Sequence, residues 1–292
     1  MPKDPAPITV QAPAKINLTL AVLGRRSDGF HEIESWVVKL AWYDRLTIAP
    51  ARELSLRLDS EANGLAADDT NLVLRAARAL ALAEEANRPP EAAIALEKHI
   101  PIGAGLGGGS SDAAAALRSL NELWGLHWGI ERLQAVAARI GSDVPLFVDP
   151  APAVVIRGRG ERVEPLSTSP RCWVAVVVPA YSISTADVYR AVDAREVPRR
   201  TGAQPWAEPS RSAAQLQSGL FNDLQEAAMA IEPRLAGLIA RLDGLDGRRV
   251  HMTGSGSCLF ALFADRSEAR MWAHAAQTAA GQSIRIEVVE ML

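Results

Sequence analysis

Along residues 16–23, INLTLAVL, apolar Ile16, Leu18, Leu20 and Val22 alternate with smaller or polar neighbours. A period of two predicts a half-buried strand, because successive side chains of an extended chain leave on opposite faces. The alternation recurs at 53–59, where Leu54, Leu56 and Leu58 are spaced by Ser55 and Arg57, and at 93–99 with Ile94 and Leu96. From Asn71 the period lengthens. Leu72, Ala76 and Leu80 share one helical face while Arg75 and Arg78 lie off it, which predicts an amphipathic helix packed on that sheet. A second helix, starting at Ser110 or Ser111, carries Leu117, Leu120 and Trp124. A third carries Ile130, Leu133, Ala137 and Ile140 before Gly141 stops it. Further strands are expected at 153–158 (AVVIRG), at 172–178 (CWVAVVV), and from 284, where Ile284, Ile286 and Val288 alternate. The charged, proline-containing stretch 157–171 reads as a connector between them. This puts a domain boundary near residue 165, giving units of 1–165 and 166–292. Residues 194–212 hold prolines and arginines without apolar periodicity and read as a mobile surface excursion.

Composition narrows the class. A chain of 292 residues exceeds the usual single core, so two domains sharing a cleft are expected. Apolar residues make up 48% and charged residues 22%, an ordinary globular balance, and no run approaches the roughly 20 apolar residues of a membrane span. The N-terminus, MPKDPAPITV, lacks the apolar core of a signal peptide, so a cytoplasmic enzyme with no membrane partner is expected. With 31 basic against 34 acidic residues the net charge is −3, which offers no footprint for nucleic acid. Cys172 and Cys258 sit in or beside apolar runs without metal-ligand spacing and read as buried reduced thiols.

The chemistry concentrates at 101–111. Pro101, Ile102, Gly103, Ala104, Gly105, Leu106, Gly107, Gly108, Gly109, Ser110 and Ser111 run directly into the alanine-rich helix. Glycines let the backbone approach a ligand closely, and the unpaired amides and positive dipole end of the helix attract anions, so the segment suits phosphate. Gly103, Gly105 and Gly108 also satisfy the dinucleotide spacing GxGxxG. That motif should follow the first buried parallel strand and be answered by an acidic residue closing a second strand, whereas a helical pattern follows here. No Gly-Lys-Ser/Thr is present at the loop, so it is not a Walker A loop.

PIGAGLGGGSSDAAAAL resembles the central motif of the GHMP kinases. PAKINLTL at 13–20 resembles their N-terminal motif, and HMTGSGSCLFALF at 251–263 resembles their glycine-rich C-terminal one. Within that superfamily, GRRSDGFHEIESW at 24–36 and GSDVPLF at 141–147 are most similar to the branch acting on a cytidine-diphosphate-linked methylerythritol in the non-mevalonate isoprenoid pathway. The resemblance implies a two-domain α+β fold. Its N-terminal domain would be ribosomal-protein-S5-domain-2-like and its C-terminal domain a ferredoxin-like α/β sandwich, with the active site in the cleft between them. ATP with Mg²⁺ would phosphorylate a hydroxyl of a small molecule, and the chain would be a monomer or homodimer. Mevalonate- or homoserine-type kinases carry similar glycine motifs and form the alternative, with a dinucleotide-dependent oxidoreductase further off.

Phosphoryl transfer needs a phosphate cradle, a group to manage the hydroxyl proton, and positive charge near the moving phosphoryl. From the residues alone, Asp143 is the N-cap of a short helix starting near Pro145 and Lys15 a solvated strand-end lysine. The resemblance makes Asp143 the base and Lys15 its cationic partner. It also places Asn17, two residues along the same strand face, on the polyol. His31 becomes a hydrogen-bonding partner of cytosine. Phe30, standing where the family usually has tyrosine, supplies an aromatic face without the hydroxyl. Tyr189 aligns loosely with a second stacking aromatic and also reads as a helix-face core residue, and Thr185 with a substrate-side hydroxyl. Lys98, Asn71 and Leu72 resemble contacts on the ATP side, Leu72 also reading as core. No protein carboxylate for Mg²⁺ is identifiable.

Overall fold

The computed structural model describes residues 6–59, 64–83, 91–193 and 212–292. Two long strands organise the first half: β1 (Ile8–Arg25) and β2 (His31–Ala49) pair antiparallel along nearly their whole length. The strand expected at 16–23 is therefore the middle of a much longer one, and it is not half-buried. Residues 14–22 are buried on both faces, polar Asn17 and Thr19 included. Pairing irregularities between Pro13 and Ala14 and between Asn17 and Thr19 explain the pattern. A bulge shifts the alternation by one residue. Ala14, Ile16 and Leu18 accordingly join one apolar cluster, while Ala12, Leu20 and Val22 join another.

The remaining elements of this half are β3 (Ser55–Leu58), α1 (Leu72–Ala83), β4 (Ala93–Glu97), α2 (Gly108–Leu123), α3 (Ile130–Ala137), α4 (Val144–Val148), β5 (Ala153–Gly158) and β6 (Arg162–Leu166). β2 carries β4 against its C-terminal half and β5 against its N-terminal half. β3 lies parallel to β4, and β6 continues outward from β5. The stretch expected to be a bare connector thus contains a strand, because Val163 packs on the core while Arg162 and Glu164 face outward. The boundary expected near 165 falls inside β6. Helix α2 begins at Gly108, before the expected serines, so the last glycines of the loop are its first turn, and Trp124 is its C-cap.

The second half comprises β7 (Trp173–Pro179), α5 (Thr185–Asp193), α6 (Ala213–Gln217), β8 (Phe221–Asn222), α7 (Gln225–Ile231), α8 (Pro233–Asp243), β9 (His251–Met252), β10 (Leu259–Phe263), α9 (Arg266–Ala280) and β11 (Ile284–Glu290). Its antiparallel sheet runs β11-β7-β10-β9, while β8 crosses over to lie parallel to β1. Val174, Val176, Phe260 and Leu262 of this sheet share a cluster with Ile16, Leu18, Trp36 and Val38 of the first, so the two sheets are joined through a common apolar layer. Of the excursion expected at 194–212, residues 194–211 lie outside the described residues, and Ser212 caps α6 through a capping box. Both cysteines are buried and unpaired, as expected. Burial pushes the Cys172 thiol up to about 11 and raises Cys258 as well. Among the described residues no helix is long and apolar enough to cross a membrane.

Candidate active site

β1 has β2 along one edge, and its other edge receives the site. The Lys15 amide donates to Leu106 O of the glycine loop at 2.9 Å, and the Asn17 amide donates to Thr253 Oγ1 of the second glycine-rich loop at 3.0 Å. The two loops also hold each other: Cys258 N donates to Ala104 O at 3.3 Å. A Cβ on Gly105, whose φ is +81°, would stand 2.5 Å from Thr253 O, so glycine is needed there for the loops to close. The stretch of β1 that carries Lys15 and Asn17 thereby becomes the floor of a cleft of about 930 Å³, within the range typical of small-molecule sites.

Lys15 is not a solvated strand-end residue. It lies inside β1 at 3% exposure, with Nζ donating to Asn17 Oδ1 at 2.6 Å and standing 3.4 Å from Asp143 Oδ2. Asn17 is held at both ends of its amide: Nδ2 donates to Ser35 Oγ at 2.7 Å, and Oδ1 also accepts from the Gly254 amide at 3.0 Å. Such a network fixes the lysine's direction in a way a solvated side chain cannot match. Asp143 occupies the N-cap position of α4 but makes no side-chain capping bond. Its carboxylate, about one-third exposed, turns to Lys15 instead. The arrangement can accept a proton beside a fixed positive charge.

The glycine loop curls over this pair. Gly103, Gly105 and Gly107 all have positive φ, and Gly107 is the N-cap of α2 without a side-chain cap. Pro101, Ile102, Ala104, Gly108, Gly109 and Ser110 line the cleft with them, whereas Leu106 is buried as an anchor and Ser111 is buried with an unpartnered Oγ. Leu72 lines the cleft at the start of α1 and also packs on the core. Asn71 is at the cleft too, but its side chain is engaged, accepting from Val73 N at 3.0 Å and donating to Ala66 O at 2.8 Å.

Lys98 brings in two residues that sequence reasoning missed. Its Nζ, in a side chain 4% exposed, donates to Asp44 Oδ2 and, at 2.8 Å, to Asp112 Oδ2. Burial opposes the lysine's charge, yet Asp112 and Asp44 hold its pKa above the ordinary value. Asp44 also accepts from the amides of His99 and Ile100 at 2.6 and 2.9 Å, which pins the segment leading into the loop. The one available signal was an acid placed in the strand-forming run of β2, since charged residues are rarely buried without a partner.

The opposite wall carries the aromatic residues. His31 and Tyr189 stack at 4.8 Å between ring centroids, and His31 Nε2 lies 2.7 Å from Asp193 Oδ1. Burial, then the charge of Asp143, raises the Tyr189 phenol, which ties this wall to the Lys15 centre. Phe30 stands at the mouth, 47% exposed, with the Arg159 guanidinium 5.0 Å from its centroid. Thr185 Oγ1 pairs with Ser255 Oγ at 2.7 Å, joining α5 to the second glycine-rich loop.

Comparison with known proteins gives the family. Residues 71–151 match the GHMP kinases N terminal domain, and residues 202–279 match the GHMP kinases C terminal domain. The 4-diphosphocytidyl-2-C-methyl-D-erythritol kinase of Paramagnetospirillum magneticum is 40% identical over 90% of this chain and 91% of its own. A crystal structure of 4-(cytidine 5'-diphospho)-2C-methyl-D-erythritol kinase superposes with a TM-score of 0.77 at 34% identity, covering 97% of this chain and 99% of that one. Homoserine kinase from Cytophaga hutchinsonii, at 18% identity and a TM-score of 0.69 over 100% of this chain and 96% of its own, shares the fold. This chain is thus an ATP-using GHMP kinase and belongs to the 4-diphosphocytidyl-2-C-methyl-D-erythritol kinase family.

Proposed function

We propose that the chain transfers the γ-phosphoryl group of ATP to the 2-hydroxyl of 4-diphosphocytidyl-2-C-methyl-D-erythritol, giving the 2-phosphate and ADP in non-mevalonate isoprenoid synthesis. The observation that carries the mechanism is Asp143: a residue at a helix N-cap that leaves the cap unmade and points its carboxylate at a buried lysine 3.4 Å away. In the reaction the substrate hydroxyl enters between Asp143 and the loop. Asp143 takes its proton as the oxygen attacks phosphorus, and ADP leaves with the electron pair of the broken P–O bond. General-base assistance of this kind contributes roughly 10² to 10⁴ in rate. Lys15 offsets the charge on the moving phosphoryl oxygens, and Asn17 holds both the lysine and the polyol.

The nucleotide's phosphates lie on the loop from Pro101 to Ser111, with the base against Asn71 and Leu72 and with Lys98 below. The cytosine lies between Phe30 and Tyr189 and bonds to His31, whose ring Asp193 orients. Thr185 sits on the substrate side. Mg²⁺, when present, would come with the phosphates of the nucleotide and offset their charge, as this small cation commonly does while keeping much of its water. We keep the division into 1–165 and 166–292, supported by the separate sheet of β7 and β9–β11, and a cytoplasmic enzyme, monomeric or homodimeric.

The experiment is ADP release by purified protein with ATP and Mg²⁺, comparing the cytidyl substrate with mevalonate and homoserine. Release with the cytidyl substrate alone is expected. Release with another alcohol in its place removes the cytosine pocket while keeping the Lys15–Asp143 centre, and bound NAD without ATP turnover would favour the dinucleotide reading.

A further inference from the structure

Asp112 is the fifth residue of α2, beneath the glycine loop, and is 1% exposed. Its Oδ2 accepts from Lys98 Nζ, while its Oδ1 is buried without a partner on a residue that lines the cleft. The floor under the helix start is tight: a Cβ on Gly108 would stand 3.2 Å from Lys98 Nζ. Two carboxylates thus share one buried ammonium. With both ionised, the cluster would carry a net −1 directly under amides arranged for an anion, and an uncompensated buried charge costs several kcal/mol.

The hydrogen bonds decide which carboxyl holds the proton. Asp44 accepts from Lys98 and from two backbone amides, three donors in all. Asp112 has one donor. Burial raises its carboxyl most, Lys98 pulls the other way and Asp44 adds to the rise, leaving it pushed up to about 8. The other charges nearby are accounted for: Asp59 accepts from the Lys98 amide at 3.2 Å, and Lys15, which packs under Gly107, faces Asp143.

We propose that Asp112 is a nucleotide-binding residue working as a neutral acid: its Oδ1 carries the proton, donates it into the cleft toward a phosphate oxygen, and loses the nucleotide when it ionises. The assignment rests on the reading of the loop as the ATP phosphate cradle. Binding keeps the proton in place. On ionisation the proton goes to solvent, the Asp44–Lys98–Asp112 cluster passes from neutral to −1, and a hydrogen-bond donor to phosphate becomes a repelling charge.

The test is calorimetric titration of the full chain with the β,γ-imido analogue of ATP between pH 7.5 and 9.5, where phosphate groups with a second ionisation near about 6 are already charged. Wild-type affinity is expected to fall by up to about tenfold per pH unit above the Asp112 titration. D112N, which keeps the shape of the neutral acid and cannot ionise, is expected to hold one affinity across the range. A flat wild-type profile, or the same alkaline loss in D112N, overturns the assignment while leaving the cradle intact. No binding at any pH overturns the cradle and this inference with it. If D112N does not fold, infrared spectroscopy of the wild type decides. A protonated-carboxyl band that fades in step with the loss of affinity supports Asp112, and its absence at neutral pH refutes it.

Discussion

Two lysines reach the same cleft nearly bare of solvent, Lys15 at 3% and Lys98 at 4% exposure, yet their charges are put to different use. Lys98 is locked between two buried aspartates at hydrogen-bond distance. Lys15 is aimed by a neutral amide, Asn17, and its one carboxylate stands off at 3.4 Å with a third of its side chain open. A charge already matched at contact distance has little left for a ligand, whereas one held by a neutral group keeps its field for a developing anion. The difference separates a lysine that builds the loop's floor from one placed as the proposed reaction requires, with its charge open to the transferring phosphoryl. Burial alone would have ranked them equal.

The largest effect expected from breaking this contrast is kinetic. Asp143→Asn should lower kcat about 10³-fold while nucleotide affinity stays within about threefold, read by steady-state rates and direct titration. A variant with full turnover would take Asp143 out of the chemistry. Next comes stability. Lys98→Met leaves Asp44 and Asp112 facing each other without a cation and should cost about 3 kcal/mol in urea unfolding, whereas Lys15→Met, beside an open carboxylate, should cost within about 1 kcal/mol. Equal losses would erase the distinction. Smallest is Phe30→Ala at the mouth, expected to raise KM for the cytidyl substrate about tenfold with KM for ATP unchanged. A matching rise in KM for ATP would place Phe30 on the wrong side of the cleft.

Much of this molecule was legible before folding. The loop of Pro101–Ser111 and the helix after it depend on neighbours in the chain, as do the strand at 153–158 and the helix from Leu72, and all were found near their expected places. Residue types at Lys15, Asn17 and Asp143 were readable by resemblance, and the structure brings the three together. Asp44 and Asp112 were not readable. They lie 54 and 14 residues from Lys98, and nothing local marks an aspartate as the partner of a lysine in another element.

The sequence by itself determined the periodic elements, the glycine-rich anion loop and the membership of a kinase superfamily, because each is written in residues close together along the chain. Tertiary structure alone decided which face each residue of β1 presents, since a period of two counts positions but does not see the bulges that turn Leu18 and Leu20 to different clusters. It also decided that Asp143 leaves its helix uncapped to meet Lys15. Both choices are made by packing between distant segments, where the burial of a strand on two faces and the pairing of charges out of water outweigh local preference.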